Sequence, residues 1–527
     1  MPIRPAARRS LSFLAAALAC GPLAALAQDR FDKAAPPTLP PPTPVPGEPP
    51  PTLLDPRSEP VSLGAALRAA GVGNPEILIA RERVTEAVAL RQLAAAQILP
   101  NLNAGTNVEV HTGTLQQSTG NILKVNRGSL YLGLGANAVG AGTVGIPGIA
   151  WAGNLDEAIF TALIRRQVVR ERQLTAAAVT NDTLLRVAVG YVELLRAEGR
   201  RALAVRSRDE AAEVARVTAD FARVGQGRQA DADRAATELR QRTLALEQSE
   251  ADVLTASARL AQLLSLDPSL RLHATDGWVV PAPIVPDPIP LCELIAIAIT
   301  RRPELAERRV VIQEALLELR GAKLLPFAPT ILLGYSAGTF GGGSNLAAAG
   351  IPQANGTVLR QPRFDSFDGR QDVDAVAFWT TRNLGVGNLA LVRVSQSHVR
   401  ASNLRFTEVL DRVRAEVATA YARTHARYAQ IETAEQAVRT GQRAFEEDLR
   451  RTRNQEGLPI EVLDSLRLLD RSREAYLDAI IDYNRAQFEL YVALGQPPAD
   501  TLARPVPAEL VPPPAEAPPC PPAPPPP

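Results

Sequence analysis

No proline occurs between Pro147 and Pro268, although the 527 residues contain 45. The prolines crowd instead into 35–60, 281–290 and the stretch after Pro505. A proline-free run of that length is where long helices can form, because nothing removes an amide donor from the helical ladder. Beyond the N-terminal leader no stretch of about 18 apolar residues appears, which excludes a helical membrane span. The formal charge of +1 gives no electrostatic case for a nucleic-acid partner. Cys20, Cys292 and Cys520 are far apart, so neither a disulfide framework nor a CxxC metal spacing is expected. The four histidines, His111, His273, His398 and His425, are equally scattered and argue against a metal centre or His-based catalysis. No GxxxxGK[ST] phosphate loop, GxSxG elbow or HExxH pair is present. The Gly-rich GTFGGG at 338–343 reads as a loop with no helix after it. The expectation is a protein that is not an enzyme and carries no cofactor.

What is there begins with MPIRPAARRSLSFLAAALACGPLAALAQ, a basic segment, an apolar core and a small-residue exit, which together read as a secretory signal. Two processing routes compete. Ala25-Leu26-Ala27 suits cleavage before Gln28, whereas Ala17-Leu18-Ala19 before Cys20 suits lipidation of that cysteine. Arg8-Arg9 also fits twin-arginine export.

The chain then says the same thing twice. NPEILIARERVTEAVALRQLAAAQILPNL (74–102) and RPELAERRVVIQEALLELRGAKLLPFAP (302–329) share Pro-Glu, a charged Ala/Leu-rich helix and Leu-Pro. The paired prolines are offset by 303 − 75 = 228 and 326 − 100 = 226; Tyr191 and Tyr421 by 421 − 191 = 230. A tandem duplication follows, with the first half at 61–280 and the second at 281–500. A signal (1–27) and a Pro-rich linker (28–60) precede them, and a Pro-rich tail (501–527) follows. Both Pro-rich segments read as extended polyproline.

In each half a helix of about 25 residues leads to an alternating region, then a very long helix, a Gly turn and a return helix of about 40 residues. Residues 154–224 hold only Gly190 and Gly199, and 388–456 only Gly441, with no proline in either. Roughly 70 residues at about 1.5 Å each make a rod near 100 Å long. Such a rod needs lateral partners. Leu184, Ala188, Val192, Leu195, Gly199 and Ala202, and in the second half Val417, Tyr421, Thr424, Tyr428 and Ile431, fall at alternating steps of four and three. Narrow stripes of small residues predict close, coiled-coil-like packing.

The alternating segments read as strands with one oily and one wet face. Leu102, Ala104, Thr106, Val108 and Val110 share a parity opposite Asn101, Asn103, Gly105, Asn107, Glu109 and His111. Leu130, Leu132, Leu134, Ala136 and Ala138 form the next oily set, followed by Ile331, Leu333, Tyr335 and Ala337, and then Val373, Ala375, Ala377 and Trp379. Four strands cannot close a barrel of useful bore, but several chains could close one together.

SLGAALRAAGVGNPEI, ILPNL, FARVGQGRQADADRAATEL, FWTTRNLGVGNLALVR and RNQEGLPIEVLDSLRLL, in this order across two halves, resemble the outer membrane factor family typified by TolC. The resemblance covers about 60–498. It implies a mainly α fold with a membrane β-barrel: long helical hairpins forming a periplasmic α-barrel, and four strands per chain given to a trimeric 12-stranded barrel. Pro100 and Pro326 would mark the junctions where tunnel becomes pore. It implies a homotrimer in outer-membrane lipid, a periplasmic adaptor (membrane fusion protein), and an inner-membrane pump of the resistance-nodulation-division or ABC type. The adaptor would dock at the hairpin tips, on Val224, Gly225, Gly227, Gly457 and Leu458. Glycine at a tip also reverses the chain with positive φ, and the second turn reads as the tighter one.

Family members close the tunnel near these tips with inward, often acidic side chains, which makes Glu446, Glu447, Asp448 and Glu456 the candidate gate. The same carboxylates would alternatively form a solvated face paired with Arg450, Arg451 and Arg453. The functional expectation is a passive outer-membrane exit duct for efflux or type I secretion. The competing reading is a periplasmic coiled-coil scaffold or adaptor without a pore.

Overall fold

The computed structural model describes residues 58–116, 119–136, 145–275, 279–286, 289–344, 366–454 and 456–498. The chain divides into two units, Met1–Leu54 and Asp55–Pro527, and every described residue belongs to the second. No described helix is long and apolar enough to cross a membrane.

The first half runs β1 (Glu59–Val61), α1 (Leu63–Gly73), α2 (Pro75–Ala96), β2 (Asn101–Leu102), β3 (Ala104–Gln116), β4 (Ile122–Ala136), β5 (Ile146–Pro147), β6 (Ile149–Asn154), α3 (Leu155–Arg223), α4 (Gln229–Leu264) and β7 (Leu272–Ala274). The second runs α5 (Leu291–Arg301), α6 (Pro303–Leu324), β8 (Thr330–Ser344), β9 (Ser366–Phe378), α7 (Val386–Arg453) and α8 (Pro459–Ala493). A short helix, a 22-residue helix, strands, a rod and a return helix thus recur in the same order.

Local chemistry explains the breaks. Ser62 caps α1 by accepting from the Ala65 amide at 3.2 Å, and Asn74 caps α2 by accepting from Glu76 N at 2.9 Å. Pro75 and Pro303 then open α2 and α6 at the position where a missing amide costs nothing. The corner residues perform the same task by different chemistry. Asn74 Nδ2 donates to Leu263 O at 2.8 Å, while Arg302 Nε donates to Ala493 O at 3.1 Å, each clamping the corner to the end of its return helix. The charges beside them are exchanged: Glu76 pairs with Arg186 on α3, and Arg302 pairs with Glu416 on α7.

The rods are as long as the sequence predicts, 69 residues for α3 and 68 for α7, or about 100 Å each. Their buried stripes differ in detail from the expected ones. On α3 the core continues through Val187, Tyr191 and Leu194 and then shifts to Ser207, Ala211, Val214 and Thr218. Leu195 is half-buried and Ala202 is exposed. On α7, Val413, Val417, Ala420, Thr424 and Ile431 are buried, Tyr421 is half-buried and Tyr428 is exposed. A straight helix drifts out of a strict 4-3 repeat over many turns, so the contact line migrates around it. Close packing holds where it was expected: a Cβ at Gly199 would sit 2.9 Å from Leu477 Cδ2 on α8, and one at Gly190 would sit 3.0 Å from Leu263 Cδ1.

Three patches carry most of the core. One joins α1, α3, α4 and α8 through Leu67, Leu184, Tyr191, Leu260 and Ile481. A second joins α5, α6, α7 and the end of α8 through Leu294, Leu305, Val413, Val417 and Leu490. The third, toward the hairpin tips, contains Ala211, Val214, Ala235, Phe445, Val462, Leu466 and Leu469. The parallel pairing of β1 with β7, Pro60 opposite His273, was not anticipated; it ties the start of the first half to its end.

Candidate functional site

Apart from the β1–β7 pair, the strands form one antiparallel sheet. β3 pairs with β4, β4 and β6 pair with β8, and β8 pairs with β9. β2 precedes β3 and pairs with β6, so the sheet amounts to four strand positions: β2/β3, β4/β6, β8 and β9. Among the described residues the outer edges of β3 and β9 pair with nothing. The 338–343 segment, expected as a loop, lies inside β8, where Gly338, Gly341 and Gly342 sit in register with Gly133, Leu130 and Ser129. A Cβ at Gly338 would be 2.6 Å from Leu132 O and 2.8 Å from the Tyr131 ring, and one at Gly342 2.4 Å from Gly128 O, so these two glycines let β4 and β8 approach closely.

The two faces are inverted relative to a water-soluble sheet. Much of the oily parity is bare: Leu102 is 73% exposed, Val110 69% and Leu132 62%, while Leu130, Leu134 and Tyr335 are half-buried. Asn103, Gly105, Asn107, Glu109 and His111, on the wet parity, are half-buried. Polar partners line that wet face. Arg127 reaches Glu109 at 3.3 Å across β4 and β3. Arg370 on β9 forks onto Asp372 at 2.8 and 3.2 Å and lies over the Phe340 ring, 5.1 Å from its centroid. Ala138 lies outside the described residues.

At the helical end of the sheet the two halves repeat one contact. Trp151 Nε1 donates to Gln97 O at 2.8 Å, just before Pro100, and Trp379 Nε1 donates to Phe327 O at 3.2 Å, just after Pro326. Both prolines sit where helix gives way to strand. An indole with an apolar body and a bonded N–H suits a level between oil and water.

The hairpin tips lie at 224–228 and 454–458, five residues each, so the second turn is not tighter than the first. Val224 and Leu458 are exposed, at 62% and 60%. Gly225 has φ +77°, the conformation expected of a turn glycine. Gly227 and Gly457 do not: their added Cβ atoms would instead lie 3.1 Å from Phe221 Cβ and Arg451 Cβ. Close approach explains those two, not backbone handedness. Asp231 bonds Arg234 at 3.1 Å and Glu461 accepts from Leu458 N at 3.2 Å, as expected of carboxylates in a first helical turn.

Of the candidate gate residues, Glu446 is exposed and accepts from Gln442 Nε2 at 2.6 Å. Glu447 pairs with Arg450 at 2.6 Å, and that hydrogen bond holds its carboxyl below the usual range. Asp448 is half-buried and Glu456 exposed. Arg453 turns away from them to Glu213 on α3, and Arg451 reaches Glu461 at 3.9 Å.

Above the tips a network that sequence reading missed joins the two hairpins. Arg473 on α8, 6% exposed, reaches Glu210 on α3 at 2.6 and 2.9 Å and Gln442 on α7 at 2.7 Å. Ser207 donates to Asp470 at 2.6 Å, and Arg242 on α4 meets Asp470 at 3.0 Å. Arg242 also bonds Glu238 at 2.9 Å, and Arg467 bonds the other Glu238 oxygen at 2.7 Å. Burial pushes the Asp470 carboxyl up despite its partners. Burial also works to raise Glu238, but hydrogen bonds from Arg467 and Arg242 win and hold it low. A groove of ≈ 510 Å³ lies beside Glu238 between α4 and α8, lined in part by Thr237, Gln241, Ile460 and Leu463. The only signal in the sequence was a run of charges along α8, which looks the same as a solvated face.

Among the described residues no group of three or more His, Cys, Asp or Glu side chains could hold a metal ion. Cys20, the candidate lipidation site, lies outside the described residues. Cys292 is disulfide-bonded, which corrects the expectation drawn from cysteine spacing.

This arrangement of sheet, rods and return helices is the fold of outer-membrane channels. The chain is similar to the outer-membrane channel OprN, with 18% identity over 82% of this chain and 89% of that one and a TM-score of 0.63. It is similar to CusC, at 17% identity over 82% and 92% and a TM-score of 0.63, and to the Campylobacter jejuni CmeC outer membrane channel, at 12% over 82% and 85% and 0.64. No protein-family model and no curated protein matches the sequence.

Proposed function

We propose that three copies join β9 of one to β3 of the next, closing twelve strands into an outer-membrane pore that continues through the rods as a periplasmic tunnel. The inverted sheet carries this reading. A surface with Leu102, Val110 and Leu132 bare and Glu109, Arg127, Arg370 and Asp372 on the opposite face suits lipid outside and water inside. Twelve tilted strands at about 4.8 Å spacing give a diameter of roughly 24 Å, whereas barrels of about eight strands are already filled by their own side chains. Strands of 13–15 residues exceed the ≈ 25 Å apolar band even when tilted.

The duct acts passively, as exit from a tripartite efflux or type I secretion system driven by a pump of the resistance-nodulation-division or ABC type. A periplasmic adaptor meets the tips at Val224, Gly225, Gly227, Gly457 and Leu458 and the nearby groove between α4 and α8. Glu446, Glu447, Asp448 and Glu456 face the closing tunnel. Of these, Glu447 is engaged by Arg450 and is the weakest gate candidate. A pore-free scaffold would not leave Leu102, Val108, Val110, Leu132, Leu333 and Val373 bare on one face of a sheet. The test is reconstitution: the full-length protein purified in detergent runs as a trimer and conducts ions in planar bilayers. A monomer that stays soluble without detergent defeats the proposal and favours the scaffold.

A further inference from the structure

The second junction between strand and rod is longer than the first. α3 begins 155 − 151 = 4 residues after Trp151, whereas α7 begins 386 − 379 = 7 residues after Trp379, although both indoles make the same contact. The three extra residues, 383–385, are all left-handed: Asn383 has φ 50° and ψ 52°, Leu384 φ 56° and ψ 27°, and Gly385 φ +93°. Asparagine and glycine tolerate that region, but in leucine it drives Cβ against the carbonyl oxygen that follows. Among the described residues Ser265 is the only other non-glycine with positive φ. The turn is braced from within, since Arg382 N donates to Asn388 Oδ1 at 2.8 Å. Yet the Leu384 side chain is 98% exposed. Strain kept in place to present a bare apolar side chain points to a partner for it.

The internal repeat indicates where that partner lies. Within the chain, the first strand-to-rod corner closes on the Leu-Pro corner of the second half. Asn154 Nδ2 donates to Ala328 O and Thr330 Oγ1, both at 3.3 Å, and Leu155 N donates to Pro329 O at 3.2 Å. The second strand-to-rod corner follows β9, whose far edge pairs with nothing among the described residues. At the opposite edge, the Leu-Pro corner of the first half is equally open. Leu99 and Pro100 are exposed where their counterparts Leu325 and Pro326 are half-buried, and Ile98 beside them is 59% exposed. Joining β9 of one copy to β3 of the next brings these two open corners together, as 154–155 and 328–330 already meet within one chain.

We propose that residues 383–385 form a latch between subunits, with Leu384 of one copy seated against Ile98 and Leu99 of the next. The latch rests on the trimer proposed above and adds to it the contact that fastens each seam where pore meets tunnel. The turn is needed only in the second half, because only that corner faces another copy; the first is fastened by Asn154 inside the chain.

The test uses the full-length protein in membranes. Leu384→Cys combined with Leu99→Cys, treated with a short bifunctional thiol reagent, yields covalent dimers and trimers on denaturing gels, and neither single variant does. Leu384→Asn keeps the volume, suits the left-handed backbone and removes only the apolar character. It therefore lowers the temperature at which the trimer dissociates, whereas for a leucine without a partner the relief of strain leaves that temperature unchanged or raises it. A trimer that does not cross-link at this pair overturns the latch, as does a Leu384→Asn trimer at least as heat-resistant as the parent. Quenching of a fluorophore on the Leu384→Cys variant by brominated lipid also overturns it, because the leucine then faces the bilayer. A parent protein that forms no trimer defeats the pore and the latch together, which separates that failure from failure of the latch alone.

Discussion

Replacing Arg473 with Met tests whether the buried charge network holds the second hairpin against the first. The guanidinium is 6% exposed and makes three hydrogen bonds of 2.6–2.9 Å, two to Glu210 on α3 and one to Gln442 on α7. Methionine fills much of the volume but leaves Glu210 with the exposed Arg206, 3.1 Å away, in place of two cationic partners, and removes one of the two cations beside Asp470. Breaking a buried pair from one side costs about 3–5 kcal/mol, while replacing both partners with apolar groups is close to neutral. Glu210 retains some solvent access, which favours the lower end of that range. For a chain of this size, with an unfolding entropy of about 1.1 kcal/mol/K, that corresponds to a fall of roughly 3 °C in the midpoint of helix loss, followed by circular dichroism in detergent at neutral pH. Glu210→Leu added to Arg473→Met should recover most of it. Acid should narrow the gap as well. Burial already raises the Asp470 carboxyl, so its protonated form is favoured in the folded chain; the stability this contributes is present at low pH and is lost as pH rises through the folded value. A single variant that melts within about 1 °C of the parent, or a double no better than the single, would refute the reasoning.

Three further outcomes follow from the same geometry. Val110→Lys, on the bare face of β3, should cost about 2–4 kcal/mol near the bilayer centre, while Asn107→Lys on the wet face should leave trimer yield intact and alter only single-channel conductance. Gly338→Val forces β4 and β8 apart against Leu132 O and Tyr131, and should lower the heat resistance of the trimer on gels by an overpacking cost of about 1–3 kcal/mol per chain. Glu314 is pushed up to about 7, chiefly by burial and then by Glu171 and Glu318. Its protonated form is favoured in the folded chain, so stability is fully present below about 4.5 and declines as pH rises toward 7. Glu314→Gln should therefore raise the melting midpoint at pH 8 and not at pH 4, by about 1 kcal/mol once solvent screening of this half-exposed group is allowed for; an equal shift at both pH values would count against it.

Periodicity and prolines made much of the architecture legible. The rod lengths, the places of the two tips, the parity of β3 and the junctions at Pro100 and Pro326 all follow from patterns within a few residues of each other, whereas the second tip proved no tighter than the first. Where the reading slipped, a longer range was involved. Ala202 and Tyr428 fit the local 4-3 stripe but not the drifting contact line of a straight helix nearly 70 residues long. GTFGGG looked like a loop because glycine disfavours strands, yet here Gly338 and Gly342 make room for the neighbouring strand β4. The tip glycines looked alike and proved different, one needed for its φ and two for closeness to the preceding helix.

The sequence by itself determined the long helices, the four principal strands, their order and which strand face is oily, because each depends on short-range backbone preference and the spacing of apolar residues. Only the tertiary structure decided which charges meet. Arg473 and Glu210 are 263 residues apart, and Arg467 and Glu238 are 229 apart. A guanidinium on a helix surface has the same local signature whether it faces water or a buried carboxylate. That distinction exists only once α3, α4, α7 and α8 lie side by side and exclude the solvent between them.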